Sequence, residues 1–473
     1  MVAHAIAPSA PEAPTAQPLY TRLWTHDLPR EHGFEPLEIE GTLPGELRGT
    51  LFRNGPGQFG QFGRRYAHPF EGDGAVTAIR LDGRRAFGAS KLTASAGLAE
   101  ERAAGAVRFG FAASWPRRFG NVVRGRSKNT ANTSVAIWQG RLFALMEAGK
   151  PTEIDPRDLT TIGETDLGGI VVSALSAHPH RVASRGASYN FGLAYGRRTR
   201  LQLYELPDSG PARRLGALEL AGAPMVHDFI ATDTHLVFFL SPIRVDVPRM
   251  VLQLGAVQQL FRWRPELGTE VVCVPIDRPD EPVRFTTEAF FQWHFANAFT
   301  RGHELVVDYV RYPNCDSFYE FAAIGRDLPH EPLRTGHAHR ATIDLRARTL
   351  RSEQVLEPDC EFPTIAPGDE GGANPVTYAA VDGIRGLGRL SFDGSQPFAR
   401  HDAPDTQRVT EPIFVPRSAS RRDGWLLALC HDEPSSRAFL AIYDAVRIAD
   451  GPIARAWFDH HVPITFHGTF APG

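Results

Sequence analysis

The sequence has few of the features that would indicate a disulfide-bonded, membrane-spanning or nucleic-acid-binding protein. Its 473 residues include four cysteines, none near enough to another for a CxxC motif, so neither a disulfide scaffold nor a zinc knuckle is indicated. No run of about 18 consecutive apolar residues is present, which predicts no membrane-spanning helix. The 51 basic residues balance 54 acidic ones, so the overall charge predicts no nucleic-acid partner.

The N-terminus lacks the signals of export. Residues 1–20 have no basic region followed by an apolar core, and they contain several prolines. This composition predicts a disordered tail, followed by a single domain over residues 21–473. With so little cysteine, we expect a reduced, cytoplasmic compartment, and attachment to a membrane surface stays open.

Short strand-like segments dominate the rest of the chain. They are rich in Val, Ile, Leu, Phe and Tyr, and turn residues bound them, in keeping with 44 glycines and 37 prolines. The clearest runs are 140–149, 199–206, 234–240, 269–277, 303–312, 339–345, 424–432 and 437–445. We predict an all-β fold built from recurring four-stranded units, as in a β-propeller. The number of blades is not readable from the residues.

Two segments depart from this pattern. Residues 107–126 interleave aromatic residues with arginines, and residues 242–264 carry apolar residues at helical spacing. In one interpretation each is a helix or loop packed on the propeller. In the other, the apolar groups enter acyl chains while the arginines lie at headgroup level, which predicts a membrane surface as partner. Both interpretations stay open.

Histidine is plentiful, but it forms no familiar local metal or hydrolase motif. The pair His337 and His339 has no nearby carboxylate and is predicted to lie in a surface loop. Four other histidines have distinctive neighbours and are far apart in the chain: His178, His227, His294 and His467. A propeller axis can collect one residue from each of several blades, but each histidine alone is also typical of a core or a turn. Spacing does not decide between these interpretations.

Eleven motifs from about residue 35 to the C-terminus together resemble those of the carotenoid cleavage oxygenases, in the order typical of that family. They are LFRNGPG (51–57), HPFEGDGAVTAIRL (68–81), NTANTSV (129–135), EAGKPTEIDP (147–156), SAHPH (176–180), HDFIAT (227–232), HFANAF (294–299), CEFPTI (360–365), EPIFVPR (411–417), DGWLLAL (423–429) and TFHGTF (465–470). Within the family, the sequence is most similar to the bacterial apocarotenoid 15,15'-oxygenases.

The resemblance implies a seven-bladed β-propeller with a helical and loop-built dome over one end. It also implies an Fe(II) ion on the axis, held by neutral imidazoles and supported by glutamates. The matching ligands are His178, His227, His294 and His467; the matching glutamates are Glu147, Glu361 and Glu411; and Thr133 matches a threonine near the open coordination position. Imidazole suits ferrous iron, and a carboxylate on the second ring nitrogen fixes the tautomer. Which glutamate serves which histidine is not readable from the sequence.

The implied activity is that of a non-haem Fe(II) dioxygenase. With O2 it would cleave a backbone C=C bond of an apocarotenoid or carotenoid into two carbonyl products, retinal among the candidates. Cleavage of a stilbene or other phenylpropenoid, and isomerohydrolysis of a retinoid ester, are sibling reactions that stay open. Stilbene-cleaving members tend to place a lysine directly before the first glutamate. Met146 stands there in this chain, which favours an apolar polyene.

Some positions depart from the family pattern or admit a purely structural interpretation. Glu71, Ser134 and Thr300 replace residues usual in the family, but none is a predicted ligand. The stretch RNGPG (53–57) is typical of a turn, and Asp228 is interpreted as the cap of a local turn. Outside the family, a metal-free propeller serving as an interaction module is the first alternative. A calcium-dependent hydrolase propeller would need axial carboxylates and amides rather than imidazoles.

Overall fold

The computed structural model describes residues 19–325, 335–373, 376–418 and 423–473. The tail predicted over residues 1–20 lies outside the described residues, except for positions 19 and 20, which begin the first helix. The beginning of the single domain at residue 21 stays a prediction. Among the described residues, no helix is both long enough and apolar enough to cross a bilayer.

Strands are the main regular structure of the described chain. The first are β1 His32–Pro36, β2 Glu38–Gly41, β3 Arg48–Gln58, β4 Gly60–Gln61, β5 Arg64–Arg65, β6 Asp73–Asp82, β7 Ala86–Leu92, β8 Ser134–Trp138, β9 Arg141–Leu145, β10 Thr152–Ile154 and β11 Thr161–Glu164. Next come β12 His180–Val182, β13 Ala187–Ala194, β14 Thr199–Pro207, β15 Arg213–Leu220, β16 Ile230–Ala231, β17 His235–Leu240, β18 Ile243–Val245, β19 Phe261–Trp263, β20 Thr269–Pro275, β21 Val283–Thr287, β22 Phe295–Arg301 and β23 Glu304–Arg311. The last are β24 Gly336–Asp344, β25 Thr349–Thr364, β26 Thr377–Val381, β27 Gly386–Leu390, β28 Ala399–Asp402, β29 Gln407–Val409, β30 Ile413–Pro416, β31 Gly424–Asp432, β32 Arg437–Asp444, β33 Pro452–Trp457 and β34 His467–Pro472.

Helices are short and lie between the strands. The α-helices are α1 Leu19–Leu23, α2 Ala96–Ala104, α3 Trp115–Val123, α4 Val247–Leu252 and α5 Asp316–Gly325. Single turns of 3₁₀ helix occur at Pro69–Glu71, Ala183–Arg185, Val257–Leu260, Pro265–Leu267 and Ile448–Asp450. Several of these elements pack on one another over one end of the strands and form a dome there.

The strands form the seven blades of a β-propeller. Blade 2 contains β8 to β11, blade 3 contains β12 to β15, and blade 4 contains β16, β17, β20 and β21. Blades 5 and 6 form one continuous sheet from β22 to β28, because the long strand β25 pairs with β24 on one side and with β26 on the other. The all-β propeller prediction is confirmed.

The two ends of the chain close the ring. In blade 1 the C-terminal strand β34 pairs with β3, in the order β34-β3-β6-β7-β1. In blade 7 the N-terminal strand β2 pairs with β33 at the outer edge, while β29 and β30 both pair with β31. Each of these two blades therefore combines strands from opposite ends of the sequence.

Hydrophobic cores lie between neighbouring blades. Leu51 and Ile79 of blade 1 pack with Leu427 and Leu440 of blade 7, and equivalent clusters fill other gaps between blades. Each blade packs between two neighbouring blades, so both faces of its strands are covered. The apolar residues of such a strand therefore run continuously instead of alternating. This explains the sequence runs described above, and each of the eight overlaps an observed strand.

Two local predictions are wrong, and a third pattern is only partly helical. His337 and His339 lie in β24, between two partner strands, and not in a surface loop. RNGPG is not a turn but the middle of β3, where a Cβ on Gly55 would come within 2.2 Å of the Ile464 carbonyl oxygen. The helical spacing in residues 242–264 corresponds to helix only over Val247–Leu252 and Val257–Leu260, because Gln253 and Gly255 have φ angles of 53° and 82° and end α4.

Candidate metal centre

The four predicted histidines lie at corresponding positions of different blades. His178, His227 and His294 come shortly before the short or innermost strands β12, β16 and β22, and His467 is the first residue of β34. Two glutamates come from the next blades: Glu361 lies near the end of β25, and Glu411 lies in the interruption between β29 and β30. The propeller therefore brings together residues that are widely separated in the sequence.

The imidazole rings converge on one point. The Nε2 atoms of His227 and His294 are 3.3 Å apart, and the ring centroids of His178 and His467 are 4.7 Å apart. One ring nitrogen of each of His178, His294 and His467 lies within 4.8 Å of the other two. Nitrogen atoms grouped this closely, and without intervening side chains, are suited to binding a single metal ion.

Each of three histidines faces a carboxylate through its other ring nitrogen. Glu361 Oε2 lies 2.5 Å from His294 Nδ1, and Glu411 Oε1 lies 2.8 Å from His467 Nδ1. Glu147 Oε1 is 2.7 Å from His227 Nδ1 and 3.8 Å from His178 Nε2. These contacts supply the glutamate–histidine pairing that the sequence left open. A carboxylate at Nδ1 places the proton there and leaves Nε2 free as a ligand atom.

Two of the glutamates are themselves held in place. Glu361 Oε1 accepts a hydrogen bond of 2.7 Å from the Tyr312 hydroxyl, and Oε2 accepts one of 2.6 Å from the Phe362 backbone N–H. Glu411 Oε2 accepts hydrogen bonds from Arg53 Nη1 and from the backbone N–H next to His467, at 2.6 and 2.9 Å. These contacts restrict how far the carboxylates move.

A cavity of about 360 Å³ borders the histidine cluster. His227, His294 and His467 line it, as do Thr133 and Met146. Most of the remaining wall is apolar and aromatic, including Phe70, Leu193, Met225, Phe261, Trp293, Phe318, Phe321, Ile384 and Phe466. Its size is typical of a pocket for a small organic ligand, and its walls suit an apolar one.

Comparison with known proteins identifies the family. A family model described as retinal pigment epithelial membrane protein matches residues 26–472. The chain belongs to the carotenoid cleavage oxygenase family. It is 31% identical to the apocarotenoid-15,15'-oxygenase of Synechocystis sp. over 94% of each chain, and 29% identical to resveratrol cleavage oxygenase 1 of Aspergillus fumigatus over 88% of each. The crystal structure of cobalt-substituted Synechocystis ACO matches with a TM-score of 0.86 at 28% identity, covering 97% of this chain and 99% of that one.

The family prediction made from the eleven motifs is confirmed. Other relatives are named as carotenoid cleavage oxygenases and dioxygenases, and the protein is accordingly an enzyme of the oxygenase class. The roles of the individual residues are taken up as a proposal below.

Burial controls the protonation of two imidazoles in this carotenoid cleavage oxygenase. It lowers the pKa of His178 and His467 well below the usual range, because a buried imidazolium loses its hydration. Burial also acts to lower the pKa of His294, but the Glu361 carboxylate outweighs it, and the pKa is raised. Burial raises the pKa of Glu411, although Arg53 opposes this effect. Neutral imidazole is the form that binds a metal.

Sequence reasoning missed several residues that surround the histidines. Arg53 and Tyr312 hold glutamates, and the Trp293 ring packs edge-on against the His227 ring with centroids 4.7 Å apart. Arg53 was obscured by the turn-like composition of RNGPG, whereas Trp293 is adjacent to the ligand-like His294 in the sequence. That adjacency is the signal in the sequence that could have identified Trp293.

Asp228 does more than cap a local turn. Its carboxylate accepts hydrogen bonds from the backbone N–H of Phe229 and of Phe295, at 2.8 and 3.0 Å. The Oδ1 atom also lies 2.7 Å from His180 Nε2. Asp228 therefore links blades 3, 4 and 5 next to the cluster, which is a structural role.

Proposed function

We propose that the protein is a non-haem Fe(II)-dependent dioxygenase that cleaves a backbone C=C bond of an apocarotenoid into two carbonyl products. The observation that carries this proposal is the convergence of four imidazoles, three of which line an apolar cavity. Fe(II) would be held by His178, His227, His294 and His467, with Glu147, Glu361 and Glu411 behind them. Thr133 lines the cavity beside them and would limit access to the open coordination position.

The residues present fit a ferrous ion. His178 Nε2 is buried and has no hydrogen-bond partner among the described residues, and such an orphaned nitrogen is expected where an ion is bound. Imidazole nitrogen is a suitable donor for iron, and the carboxylates at Nδ1 increase the basicity of the ligands. When bound, the iron would supply the activation of O2, which the protein side chains alone do not provide.

The protein's own residues would position the substrate and keep water away. Both atoms of O2 enter the two carbonyl products, so cleavage needs no external proton or electron. The cavity accordingly needs no general acid or base, and its aromatic walls, including Phe70, Phe318 and Phe321, suit a flat conjugated chain. These aromatic side chains would place one double bond of the substrate beside the histidine cluster.

Met146 bears on the choice between a polyene and a stilbene. It lines the cavity immediately before Glu147, and its sulfur accepts a hydrogen bond of 3.2 Å from the Thr130 backbone N–H. A thioether there offers no positive charge to a phenol, whereas it packs well against an apolar chain. Cleavage of a phenylpropenoid is therefore the second candidate, supported by the relative named as a resveratrol cleavage oxygenase.

The protein would take its substrate from a membrane surface through residues 107–126 and 242–264. The two segments meet where Trp115 Nε1 donates a hydrogen bond of 3.0 Å to the Leu252 carbonyl. Trp115, Leu252 and Leu254 are 47%, 45% and 44% exposed. The second segment also contributes Val257 and Phe261 to the cavity wall. An exposed apolar patch continuous with an apolar cavity supports extraction of a membrane-dissolved substrate.

Product analysis tests the reaction and the substrate together. Iron-loaded protein is incubated aerobically with an apocarotenal and a hydroxystilbene in one mixture, and the products are identified by mass spectrometry. We expect two carbonyl fragments from the polyene, whose masses give the position of the broken bond. Cleavage of the stilbene alone would establish the second candidate. Iron-loaded protein that cleaves neither would contradict both substrate assignments.

A further inference from the structure

Arg53 places a positive charge beside the histidine cluster without access to solvent. Its side chain is 0% exposed. Nη1 donates to Glu411 Oε2 over 2.6 Å, Nε donates to Thr465 Oγ1 over 3.2 Å, and Nη2 donates to the Phe466 carbonyl over 2.9 Å. The planar fork of a guanidinium is thus directed both at the glutamate behind His467 and at the two residues before His467.

Stability alone does not account for this arrangement. A buried ion pair contributes little net stability, because the desolvation of both charges offsets most of their attraction. Arg53 instead joins three separate parts of the chain: β3, the interruption that carries Glu411, and the residues that lead into β34. It therefore holds Glu411 in place relative to the segment that leads into His467.

The charges around the site give a second argument. Glu147, Glu361 and Glu411 carry three formal negative charges, and a divalent ion would contribute two positive ones. Arg53 contributes the third, so that the formal charges of these glutamates, the ion and Arg53 sum to zero. A net charge is costly in a weakly polarisable interior, which favours a balanced set of charges.

We propose that Arg53 is a positioning residue of the metal centre, which holds Glu411 so that His467 presents Nε2 to the ion, and which balances the charge of the three glutamates. The inference deepens the proposed function and rests on its assignment of His467 as a ligand. Arg53 reaches the metal through Glu411 and is not assigned any contact with substrate.

Anaerobic titration with Co²⁺ tests this role without depending on turnover. The readouts are the dissociation constant and the visible absorption spectrum of the bound ion, which reports its coordination. We expect Arg53→Met to weaken Co²⁺ binding by about 10- to 100-fold, as is typical for loss of a residue that orients a metal ligand, and to alter the spectrum. Arg53→Lys keeps the charge but not the fork, and it should restore part of the affinity.

Tyr312→Phe is the matched control. It removes a neutral hydrogen bond from Glu361 without changing the charge, and should weaken Co²⁺ binding by less than about tenfold. Because Arg53 acts through Glu411, adding Arg53→Met to Glu411→Gln should change the dissociation constant by no more than about twofold. Independent, additive effects of these two substitutions would overturn the proposal.

Two further outcomes are distinguishable. If Arg53→Met binds Co²⁺ with the affinity and spectrum of the unsubstituted protein, Arg53 is not a positioning residue. If Arg53→Met does not fold, as judged by circular dichroism, Arg53→Lys decides, and an unchanged spectrum and affinity would refute the proposal. Failure of the unsubstituted protein to bind Co²⁺ would instead contradict the proposed metal site itself.

Discussion

The two sides of the histidine cluster are built differently. On one side, His294 and His467 face Glu361 and Glu411, which are 5% and 7% exposed and are held by Tyr312 and Arg53. On the other side, next to His178, His227 faces Glu147 through Nδ1, and the Glu147 side chain is 33% exposed. Its Oε1 atom makes no hydrogen bond that satisfies the usual geometry among the described residues.

This difference indicates that the two sides of the histidine cluster have different roles. Buried carboxylates with several donors have little freedom, so in the proposed metal site the side with His294 and His467 would fix where an ion lies. Glu147 is partly exposed at the cavity, and its contact with His227 lacks hydrogen-bond geometry, so its hold on His227 is weaker. The better-held side would thus determine the position of the proposed metal, and the other side would leave room for adjustment where the cavity begins.

Removing a ligand should have the largest effect, and it should be equal on both sides. We expect His467→Ala and His227→Ala each to abolish stoichiometric iron, measured by elemental analysis of protein loaded anaerobically, because three imidazoles hold the ion far less well than four. His339→Ala is the control, since His339 lies in β24 and outside the cluster. Stoichiometric iron in His227→Ala would show that the exposed side does not bind the metal.

Removing the charge of a glutamate should separate the two sides. Glu361→Gln should weaken Fe(II) binding by about 10- to 100-fold. Glu147→Gln should weaken it by less than about tenfold, because water screens a partly exposed charge. Anaerobic titration measures both, and the two substitutions are matched in size and chemistry. Equal losses would mean that the exposure of Glu147 has no energetic consequence.

Much of the fold was predictable because strands buried between blades have a simple signature. The apolar runs around Leu203, Phe238 and Leu427 are bounded by turn residues and became strands. The number of blades was not predictable, because β25 serves two blades and because the first and last blades combine strands from both ends of the chain. Neither feature leaves a local pattern.

The histidines were identified from the order of the family motifs, not from their spacing. Their carboxylate partners could not be assigned from sequence, because Glu361 and His294 are 67 residues apart and Glu411 and His467 are 56 apart. Arg53 was missed since RNGPG is typical of a turn, while pairing with β34 on one side and β6 on the other keeps it extended.

Substitutions in the two surface segments provide a comparison with the buried site, because they should weaken membrane binding without changing iron binding. Combining Leu252→Asp with Leu254→Asp should weaken binding to liposomes by at least about tenfold, since two aliphatic side chains no longer enter the acyl region. Co-sedimentation measures the loss, and iron content should not change. Arg249→Gln, on the same short helix, is the control for a change in charge alone. Undiminished binding of the double variant would show that this patch does not contact the membrane.

His431 offers the smallest but most direct comparison, because it is a buried histidine without a carboxylate. It is 1% exposed, and neither ring nitrogen has a hydrogen-bond partner among the described residues. Burial lowers its pKa well below the usual 6.5, so below that pH the unfolded chain takes up a proton that the folded protein does not. The stability of the folded protein is therefore undiminished by His431 above pH 6.5 and decreases as the pH falls below it.

The expected loss from His431 is about 0.8 kcal/mol in the free energy of unfolding between pH 8 and pH 6. Urea denaturation of metal-free protein at both pH values measures it, and His431→Leu should reduce the difference by that amount. His303→Gln is the control, because the His303 side chain is 50% exposed. If His431→Leu kept the full pH dependence, the folded protein would be able to protonate His431. Protonation of a buried imidazole in this interior would then not require a carboxylate partner.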